Sequence, residues 1–551
     1  MPDFINIASH LPAMAEQQPD SLAVAFPSGR DGKGDVKYDR VSFRELNAES
    51  DLVASGLETI GISKGVRTVL MVKPSLEFFA LTFAIFKTGA VPVMVDPGMG
   101  MENLKQCLAE AEPEAFIGIP KAHIARKLFG WAKKTVRINV TVGRRLFWGG
   151  HTLEGLRRVG QADKPYRMAE TGADETAAVL FTSGSTGVPK GAVYTHGNFT
   201  AQVEALKKLY DIQPGELDMP TFPLFALFDP ALGMSAIIPD MDFTRPGFVD
   251  PQNVIEPIQK FEITNMFGSP AFIRRVGEHA AANDVKLPSL KRVISAGAPV
   301  PAEVVETFAQ MLSDGVQIFT PYGATESLPV ASIGSKEILG DTREQSDNGA
   351  GVCVGPPVAD IHVSVIQITD DAIGTWSEDL LSTAGETGEI VVKGPMVTRS
   401  YLNRDESTKL AKIQDPANGT FYHRMGDLGY FDDQGRLWFC GRKAHRVETA
   451  NETLFTIPCE SVFNTHADVF RTALVGVRKS ETIPVLCVQL KRDSRAGEDK
   501  VREDLLAIGQ KHPHTKSIKM ILFHSDFPVD IRHNAKIFRE ELAVWAGEQL
   551  L

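Results

Sequence analysis

A loop rich in hydroxyls and glycines lies between two short apolar runs in the first half of the chain. Residues 182–191 read TSGSTGVPKG, and the flanking runs 177–181 and 192–194 have the composition of strands. Glycines let the backbone approach a polyanion, Ser and Thr hydroxyls donate to phosphate oxygens, and Lys190 offsets negative charge. The loop is not of the Walker type, because no Gly-Lys-Ser/Thr ends it and no helical pattern follows directly. Phosphate binding is therefore favoured over a plain polar turn, which the same composition also allows.

Strand and helix patterns alternate on both sides of this loop. Residues 42–45 fit a capping box that begins a helix. Beyond it the patterns predict strands at 69–72 and 91–95, a helix at 76–88, and further strands at 264–267, 292–294 and 317–320. This alternation predicts an α/β fold with layers built on parallel strands.

The pattern changes after residue 351. Short alternating runs at 362–368, 389–393 and 437–440, separated by Gly and Pro, predict a β-rich subdomain. From residue 442 onward, strands at 472–477 and 486–489 with helices near 462, at 501–510 and at the C-terminus predict a small α+β unit. We therefore expect a large N-terminal domain over 1–441 and a small, mobile C-terminal domain over 442–551.

Bulk properties exclude several classes of protein. The net charge of −11 argues against a general nucleic-acid binder. The N-terminus lacks the features of a signal peptide, and the most apolar stretch, 78–86, is too short to span a bilayer and is broken by Lys87. Five scattered cysteines without a CxxC pair indicate a reducing compartment and buried thiols. A cytoplasmic protein without a membrane span is expected.

A basic, aromatic strip stands out against this acidic background. Between residues 126 and 148 the chain carries seven Lys or Arg side chains, two Phe and two Trp. Such a strip is suited to lipid headgroups or to an acidic partner. A solvated surface helix followed by a strand and a loop explains the same residues, and both interpretations stay open.

Three further segments are suited to nucleotide binding. The run Tyr322-Gly323-Ala324-Thr325-Glu326 follows a predicted strand, with an aromatic ring to stack on a purine and a carboxylate for Mg²⁺. Asp427 is predicted in a turn, where an acid can bind ribose hydroxyls. Lys536 lies at a loop-to-helix junction. Each has an ordinary alternative, namely a strand end, an aspartate turn and a solvated lysine.

Together and in this order, the segments resemble those of the acyl-adenylate-forming superfamily of AMP-dependent synthetases and ligases over nearly the whole chain. The likeness extends to the β-subdomain signatures at 388–390 and 394–395 and to the hinge signature Gly441-Arg442. It implies an adenine-side turn at Gly297, Ala298 and Pro299, a ribose site at Asp427 and Arg442, and a catalytic lysine at Lys536. It also implies that the β- and γ-phosphates are held by Thr182, Ser183, Gly184, Ser185, Thr186 and Gly187.

The resemblance implies that a carboxylate attacks the α-phosphate of ATP to give an acyl-AMP and pyrophosphate. Lys536, Lys190 and Mg²⁺ would counter the charge of the transition state, and Glu326 would hold the metal. The substrates and cofactors implied are therefore ATP, Mg²⁺ and a small-molecule acid.

Several family residues are replaced in this sequence. Ala226 follows Pro-Leu-Phe where many CoA ligases have His or an aromatic near the thiol tunnel, and Ala444 stands where the hinge usually has Asp or Lys. Asn451 appears in place of a hairpin glycine, and Ala535-Lys536 replaces the usual Gly-Lys. These changes leave the adenylation residues intact but touch the parts that rotate the small domain and admit a thiol.

Within the superfamily, residues 222–230 and 531–536 resemble the β-lactone synthetases of bacterial long-chain olefin biosynthesis. That resemblance implies a long-chain 2-alkyl-3-hydroxy fatty acid whose own 3-hydroxyl displaces AMP, and possible assembly with other enzymes of that pathway. The alternatives are a long-chain acyl-CoA ligase and a non-catalytic adenylate-binding scaffold.

An acyl pocket is expected at Phe222, Phe225, Phe228, Met234 and Phe267, although ordinary core explains these residues equally well. No general base is identified among the candidates His423, His445 and His533.

Overall fold

The computed structural model describes residues 4–161, 166–181, 188–530 and 536–550. The elements up to the phosphate-loop region are, in chain order, α1 (His10–Gln17), β1 (Leu22–Arg30), β2 (Val36–Ser42), α2 (Phe43–Thr59), β3 (Arg67–Met71), α3 (Leu76–Lys87), β4 (Val91–Met94), α4 (Met101–Ala111), β5 (Ala115–Gly118), α5 (Pro120–Phe129), β6 (Ile138–Thr141), β7 (His151–Thr152), α6 (Leu153–Val159) and β8 (Thr176–Phe181).

The central part of the chain continues the α/β alternation. Its elements are β9 (Gly191–Thr195), α7 (His196–Tyr210), β10 (Leu217–Pro220), α8 (Pro223–Ala226), α9 (Asp229–Leu232), β11 (Ser235–Ile237), α10 (Gln252–Phe261), β12 (Asn265–Gly268), α11 (Pro270–Ala282), β13 (Arg292–Ser295), α12 (Ala302–Ala309), β14 (Gln317–Ala324), β15 (Ser327–Gly334), α13 (Ser335–Ile338) and α14 (Asp341–Asp347).

The last third is richer in strands. It contains β16 (Val352–Gly355), β17 (His362–Ile366), β18 (Gly388–Lys393), α15 (Asp405–Ala411), β19 (Lys412–Asp415), β20 (Thr420–Phe431), β21 (Leu437–Arg442), β22 (Val447–Glu448), β23 (Thr453–Leu454), α16 (Thr456–Phe463), β24 (Val469–Arg478), β25 (Thr482–Leu490), α17 (Glu498–Gly509), β26 (Met520–Phe523) and α18 (Arg539–Gln549).

Two mixed sheets form the α/β layers. One has the order β7-β6-β5-β3-β4-β8-β9, with all neighbours parallel except β8 and β9. The other has the order β15-β14-β13-β12-β10-β11-β1-β2, parallel from β14 to β1 and closed at both edges by antiparallel strands. The predicted α/β class with parallel strands is confirmed.

Helix α3 contains the most apolar stretch of the sequence and lies between these two sheets. It contacts both β4 and β1, and every residue from Phe78 to Lys87 is buried. A helix that is apolar all round has to be surrounded by core, so no polar face remains. Lys87 is accommodated by an ion pair of 2.5 Å to Asp51 and by a hydrogen bond to Ser50.

Antiparallel strands follow the α/β layers, as the sequence predicts. Strands β16-β21-β20-β18-β17 form one sheet, with β19 added on β20. The boundary expected between residues 441 and 442 falls at the end of β21, and the strands after it pair only among themselves within the described residues, as β22-β23 and β24-β25-β26. The division into two domains stays a prediction.

The predicted turn at Asp427 is wrong. Asp427 lies inside β20, which pairs with β18 on one side and with β21 on the other. Two glycines make the sequence resemble a turn, but in the structure both lie within the strand, where its backbone geometry and packing favour glycine. Gly426 has a left-handed φ of 66° next to a bulge, and a Cβ on Gly429 would lie 2.3 Å from the carbonyl oxygen of Trp438.

Candidate active site

The predicted nucleotide segments meet where β14, β20 and β21 come together. Strand β14 is longer than the sequence predicts and carries Tyr322 to Ala324, and Thr325 and Glu326 form the connection to β15. Asp427 on β20 is the register partner of Arg442 on β21. Strand pairing therefore sets Asp427 beside Arg442, and Tyr322, which is 105 positions before Asp427, meets it through a side-chain hydrogen bond.

Tyr322, Asp427 and Arg442 form one polar cluster, in which Asp427 is buried and the other two side chains are partly buried. The phenol of Tyr322 donates a hydrogen bond of 2.7 Å to Oδ2 of Asp427, and Nη1 of Arg442 lies 3.1 Å from Oδ1 of the same carboxylate. Burial raises the pKa of Asp427, and the charge of Arg442 opposes that rise. Among the described residues, Oδ1 has the ion pair but no hydrogen-bond donor in suitable geometry, so it keeps the capacity to accept a hydrogen bond.

Glu326 is oriented by a tyrosine that sequence reasoning missed. The phenol of Tyr401 donates to Oε1 of Glu326 at 2.7 Å, and Nζ of Lys190 lies 5.1 Å from the centroid of the Tyr401 ring. Tyr194 on β9 donates to the carbonyl oxygen of Thr325. These contacts hold the 325–326 connection from β9 and from the segment after β18.

Lys536 reaches this cluster from the C-terminal part of the chain. Its carbonyl oxygen accepts a hydrogen bond of 2.9 Å from the amide of Asp530, so it continues a short antiparallel pairing between Val529 and Ile537. Burial lowers the pKa of Lys536, the nearby positive charge of Arg442 lowers it further, and Asp530, Asp427 and Glu326 oppose the change. The structure thus brings Lys536, Arg442, Asp427 and Glu326 into one electrostatic environment.

The predicted adenine-side turn lies beside this cluster. Residues 297–299 follow β13, which is the neighbour of β14, and Gly297 has a φ of 103° that only glycine adopts readily. The predicted phosphate-binding residues 182–187 lie outside the described residues. Their flanks are consistent with the prediction, since β8 ends at Phe181 and β9 begins at Gly191 as an antiparallel pair.

Three of the predicted pocket residues meet at the carboxyl ends of the parallel strands. Phe225 stacks edge-on against Phe222 at 5.0 Å and against Phe267 at 4.5 Å between ring centroids. Ligands of open α/β sheets bind at this end of the strands. Phe228 instead packs against Phe199 at 5.8 Å and lines a separate apolar cavity of about 60 Å³ between α3 and α7.

Met234 lies apart from these phenylalanines. It precedes β11 at the opposite end of the strands, where Leu217 pairs with Ser235. Its sulfur accepts from Nδ2 of Asn265 at 3.5 Å, in a buried network with Glu216. The structure thus gives Met234 a core environment, and its place in the acyl pocket stays a prediction.

The replaced family residues occupy contrasting environments. Ala226 ends α8 and is 1% exposed, so it is part of the core. Ala444 is exposed in a 3-10 turn, Lys443–His445. Its neighbour Lys443 donates to Oε2 of the buried Glu389 at 3.1 Å and to the carbonyl oxygen of Thr369 at 2.8 Å. The segment after Arg442 is thus attached to the β-rich subdomain beside Ala444.

Two of the three histidine candidates lie in positions where burial lowers the pKa of the imidazole. His423 is buried, and burial lowers its pKa well below the usual value, with nearby Lys412 lowering it further. His445 lies 3.4 Å from Glu540, and burial lowers its pKa to about 4. His533 lies outside the described residues.

Lys412 is a second residue that sequence reasoning missed. Its side chain is buried and donates to the carbonyl oxygen of Thr398, whose amide in turn donates to the carbonyl oxygen of Glu326 at 2.9 Å. Burial lowers the pKa of Lys412 to about 7, and the charge of Glu326 opposes that change. A lysine after an amphipathic helix looks like any surface lysine, and only its pairing into β19 reveals the burial.

Comparison with known proteins agrees with this geometry. A family model described as AMP-binding enzyme matches residues 11–402 of the 551. The chain belongs to the AMP-binding enzyme family. As the sequence resemblance indicates, this AMP-binding enzyme is an ATP-dependent acyl-adenylate-forming protein, with a structure typical of that superfamily.

Individual relatives of this AMP-binding enzyme differ in how similar they are. An olefin beta-lactone synthetase of Xanthomonas campestris pv. campestris is 51% identical, over 100% of this chain and 99% of the relative. A long-chain-fatty-acid–CoA ligase of Salmonella typhimurium is 26% identical, over 91% and 89%. The structure of the amide bond synthetase McbA of Marinactinospora thermotolerans shares the fold, with a TM-score of 0.77 at 21% identity over 98% and 99% of the two chains.

The residues of the site fit a magnesium ion held mainly by a nucleotide. Within the described part of the chain, no group of three or more His, Cys, Asp or Glu side chains is arranged as a metal site. Mg²⁺ commonly takes one or two carboxylates and completes its shell with phosphates and water. Tyr401 hydrogen-bonds Oε1 of Glu326, so Oε2 fits a metal ligand of this kind.

No helix in the described residues is long and apolar enough to cross a bilayer. All five cysteines are unpaired and buried, as expected from their spacing in the sequence.

Proposed function

We propose that this chain adenylates a long-chain 2-alkyl-3-hydroxy fatty acid and then closes it to a β-lactone. Adenylation is supported by the convergence of Lys536, Arg442, Asp427 and Glu326 on one site. Ring closure is supported by the full-length identity of 51% to an olefin beta-lactone synthetase, whereas the long-chain-fatty-acid–CoA ligase of Salmonella typhimurium is only 26% identical.

In the first step, a carboxylate oxygen of the fatty acid attacks the α-phosphorus of ATP. The bond from this phosphorus to the bridging oxygen breaks, and pyrophosphate leaves. Lys536 neutralises charge that develops on the α-phosphate, and Lys190 and residues 182–187 hold the departing phosphates.

Other residues position the nucleoside. Asp427 and Arg442 bind the ribose, and residues 297–299 and Tyr322 bind the adenine. Bound Mg²⁺, held by Glu326, would supply further charge neutralisation.

In the second step, the 3-hydroxyl oxygen attacks the acyl carbon of the adenylate. The bond from this carbon to the phosphate oxygen breaks, AMP leaves, and the hydroxyl proton is released. Because the nucleophile is part of the substrate, its effective concentration is high without a second binding site. The buried Ala226 and exposed Ala444 fit such a reaction, since no external thiol has to be admitted.

Product analysis tests the proposal. Purified protein is incubated with ATP, Mg²⁺ and a long-chain 2-alkyl-3-hydroxy acid, with and without CoA. We expect a β-lactone, AMP and pyrophosphate in both reactions. A thioester that forms only with CoA would assign the chain to the acyl-CoA ligases. Absence of pyrophosphate exchange with every long-chain acid would reject both activities and leave a binding or scaffold role.

We further propose that the protein acts in the cytoplasm and assembles with the enzymes that supply its hydroxy acid and consume its lactone. A strained lactone is reactive, so direct transfer would limit its hydrolysis. Co-purification of tagged protein from its native cells, followed by identification of bound enzymes, tests the assembly. Recovery of the protein alone at low salt would reject it.

A further inference from the structure

We infer that residues 121–134 and 144–148, called here the basic apolar patch, dock this protein on a bilayer that carries anionic headgroups. The patch comprises α5 with the turn after it and the loop between β6 and β7, at one edge of the first mixed sheet. Apart from Arg137, it contains all the basic and aromatic residues of the strip between residues 126 and 148. The inference is independent of the reaction proposed above.

Large apolar side chains are unusually exposed in this patch. Leu128 is 75% and Phe147 is 78% exposed, and Ile124, Phe129 and Leu146 exceed 40%. Of the fourteen large apolar side chains exposed in the described part of the chain, these five fall within residues 124–147. Contiguous exposed apolar surface marks an interaction site more often than scattered residues do.

Buried side chains next to the exposed ones hold this part of the chain in place. The Trp148 indole stacks on the buried His123 at 5.2 Å between ring centroids and donates to Thr141 at 2.8 Å. Arg126, also buried, donates to Asn139 at 2.7 Å. These contacts fix α5 against the loop before β7. Phe147 and Leu128 therefore point to solvent from segments that these contacts hold in position.

The positive charge of the patch indicates a negatively charged partner. Between Glu114 and Glu154 the chain has no Asp or Glu and eight Lys or Arg, whereas the net charge of the whole chain is −11. The chain outside residues 115–153 therefore has a net charge of −19. The patch is the cationic face of an anionic molecule, which orients it toward a negative surface and turns the rest of the protein away.

A bilayer matches this combination better than an acidic protein does. Basic residues around protruding Leu and Phe are typical of elements that lie in a membrane interface, with apolar tips below the headgroups and cations among them. On α5, Ile124 and Leu128 are one turn apart and share a face, while His123 and Arg126 face the core. One side of the helix is thus free to enter the interface.

Vesicle flotation tests the inference. The full-length protein is mixed with phosphatidylcholine vesicles and with vesicles that also contain phosphatidylglycerol. We expect binding to the second type only, and its loss at high salt. Lys133→Gln with Lys134→Gln should weaken binding by about fivefold per charge removed. Leu128→Ser with Phe147→Ser should weaken it by roughly tenfold or more.

Matched variants elsewhere serve as controls. Lys516→Gln with Lys519→Gln, and Val159→Ser with Val544→Ser, change the same kinds of exposed side chains outside the patch. They should bind like the wild type, and all variants should retain wild-type pyrophosphate exchange with a short soluble acid. No binding by the wild type, equal binding to neutral vesicles, or equal losses in patch and control variants would overturn the inference. Dimers that become monomers in the Leu128/Phe147 variant would assign the patch to self-association instead.

Discussion

Tyr401 and Glu326, which lie 75 positions apart, are joined by a 2.7 Å hydrogen bond from the phenol to Oε1 of the carboxylate. The same tyrosine ring lies beneath Lys190, with Nζ 5.1 Å from its centroid. One side chain therefore sets the position of the proposed metal ligand and contacts Lys190, the lysine of the predicted phosphate loop. A hydrogen bond to a charged group is worth roughly twice one between neutral groups.

Tyr401→Phe should impair metal use rather than folding. The ring and its contact with Lys190 remain, but Glu326 loses the donor that orients it. We expect the Mg²⁺ concentration for half-maximal pyrophosphate exchange to rise about tenfold, the equivalent of one hydrogen bond to a charged group. A titration of Mg²⁺ at saturating ATP and acid measures this.

Tyr430→Phe is the matched control for that titration. Tyr430 donates to the carbonyl oxygen of Ala350 at 3.0 Å, also within the β-rich subdomain but away from Glu326. Its loss should leave the Mg²⁺ dependence unchanged. Equal shifts in the two variants would mean that Tyr401 acts through general stability.

Lys536→Ala should abolish adenylation, because the α-phosphate loses the partly buried cation that we assign to it. Removal of one such electrostatic group typically costs about a hundredfold to a thousandfold in rate. Lys519→Ala, a change at an exposed lysine of the same region, is the control. Retention of more than a tenth of the exchange rate by Lys536→Ala would reject the catalytic role.

The pH dependence gives an independent test of Lys536. Burial and the charge of Arg442 lower its pKa from the usual 10.5. Since the protonated form is the active one, the exchange rate should decline with rising pH at a lower pH than for an ordinary lysine. Lys536→Arg, whose guanidinium stays charged, should retain a flat profile over that range at whatever rate it supports. Identical profiles would contradict this assignment.

Local patterns predicted most elements of the α/β layers but not the contacts between distant strands. The helix expected at 76–88 is observed as Leu76–Lys87, and Ser42 and Glu45 form the predicted capping box. These features depend on neighbours in sequence. Asp427 was misplaced because Gly426 and Gly429 are typical of turns, and only pairing with β18 and β21 makes the segment a strand.

The same limit applies to the site. The resemblance named Glu326, Asp427, Arg442 and Lys536, and the structure gathers them. Tyr401 and Lys412 carry no local signal, since their roles arise from the packing of the segment after β18 against the β14–β15 connection. The phosphate-binding roles of residues 182–187 stay a prediction.

Ala444→Asp tests whether rotation at the hinge matters for product formation. Ala444 is exposed, so an added carboxylate should change stability little and lactone formation by no more than about twofold. Ala417→Asp, at another exposed position, controls for the added charge. A large and selective loss of lactone, with pyrophosphate exchange intact, would show that the second step needs a rearrangement at this residue.

Lys412→Met should change how stability depends on pH. The pKa of Lys412 is lowered to about 7 by burial, so between that value and the usual 10.5 the unfolded chain binds a proton that the folded chain does not. The group therefore makes the folded state more stable as pH rises through this window, and its cost is fully present below pH 7. Removal of the amine abolishes this dependence, although it also removes the bond to Thr398. The melting temperature of Lys412→Met minus that of the wild type should be highest below pH 7. This difference should decrease steadily as the pH rises toward 10. Lys511→Met, at an exposed lysine, should differ from wild type by a constant amount, and the same constancy in Lys412→Met would show that Lys412 is charged throughout.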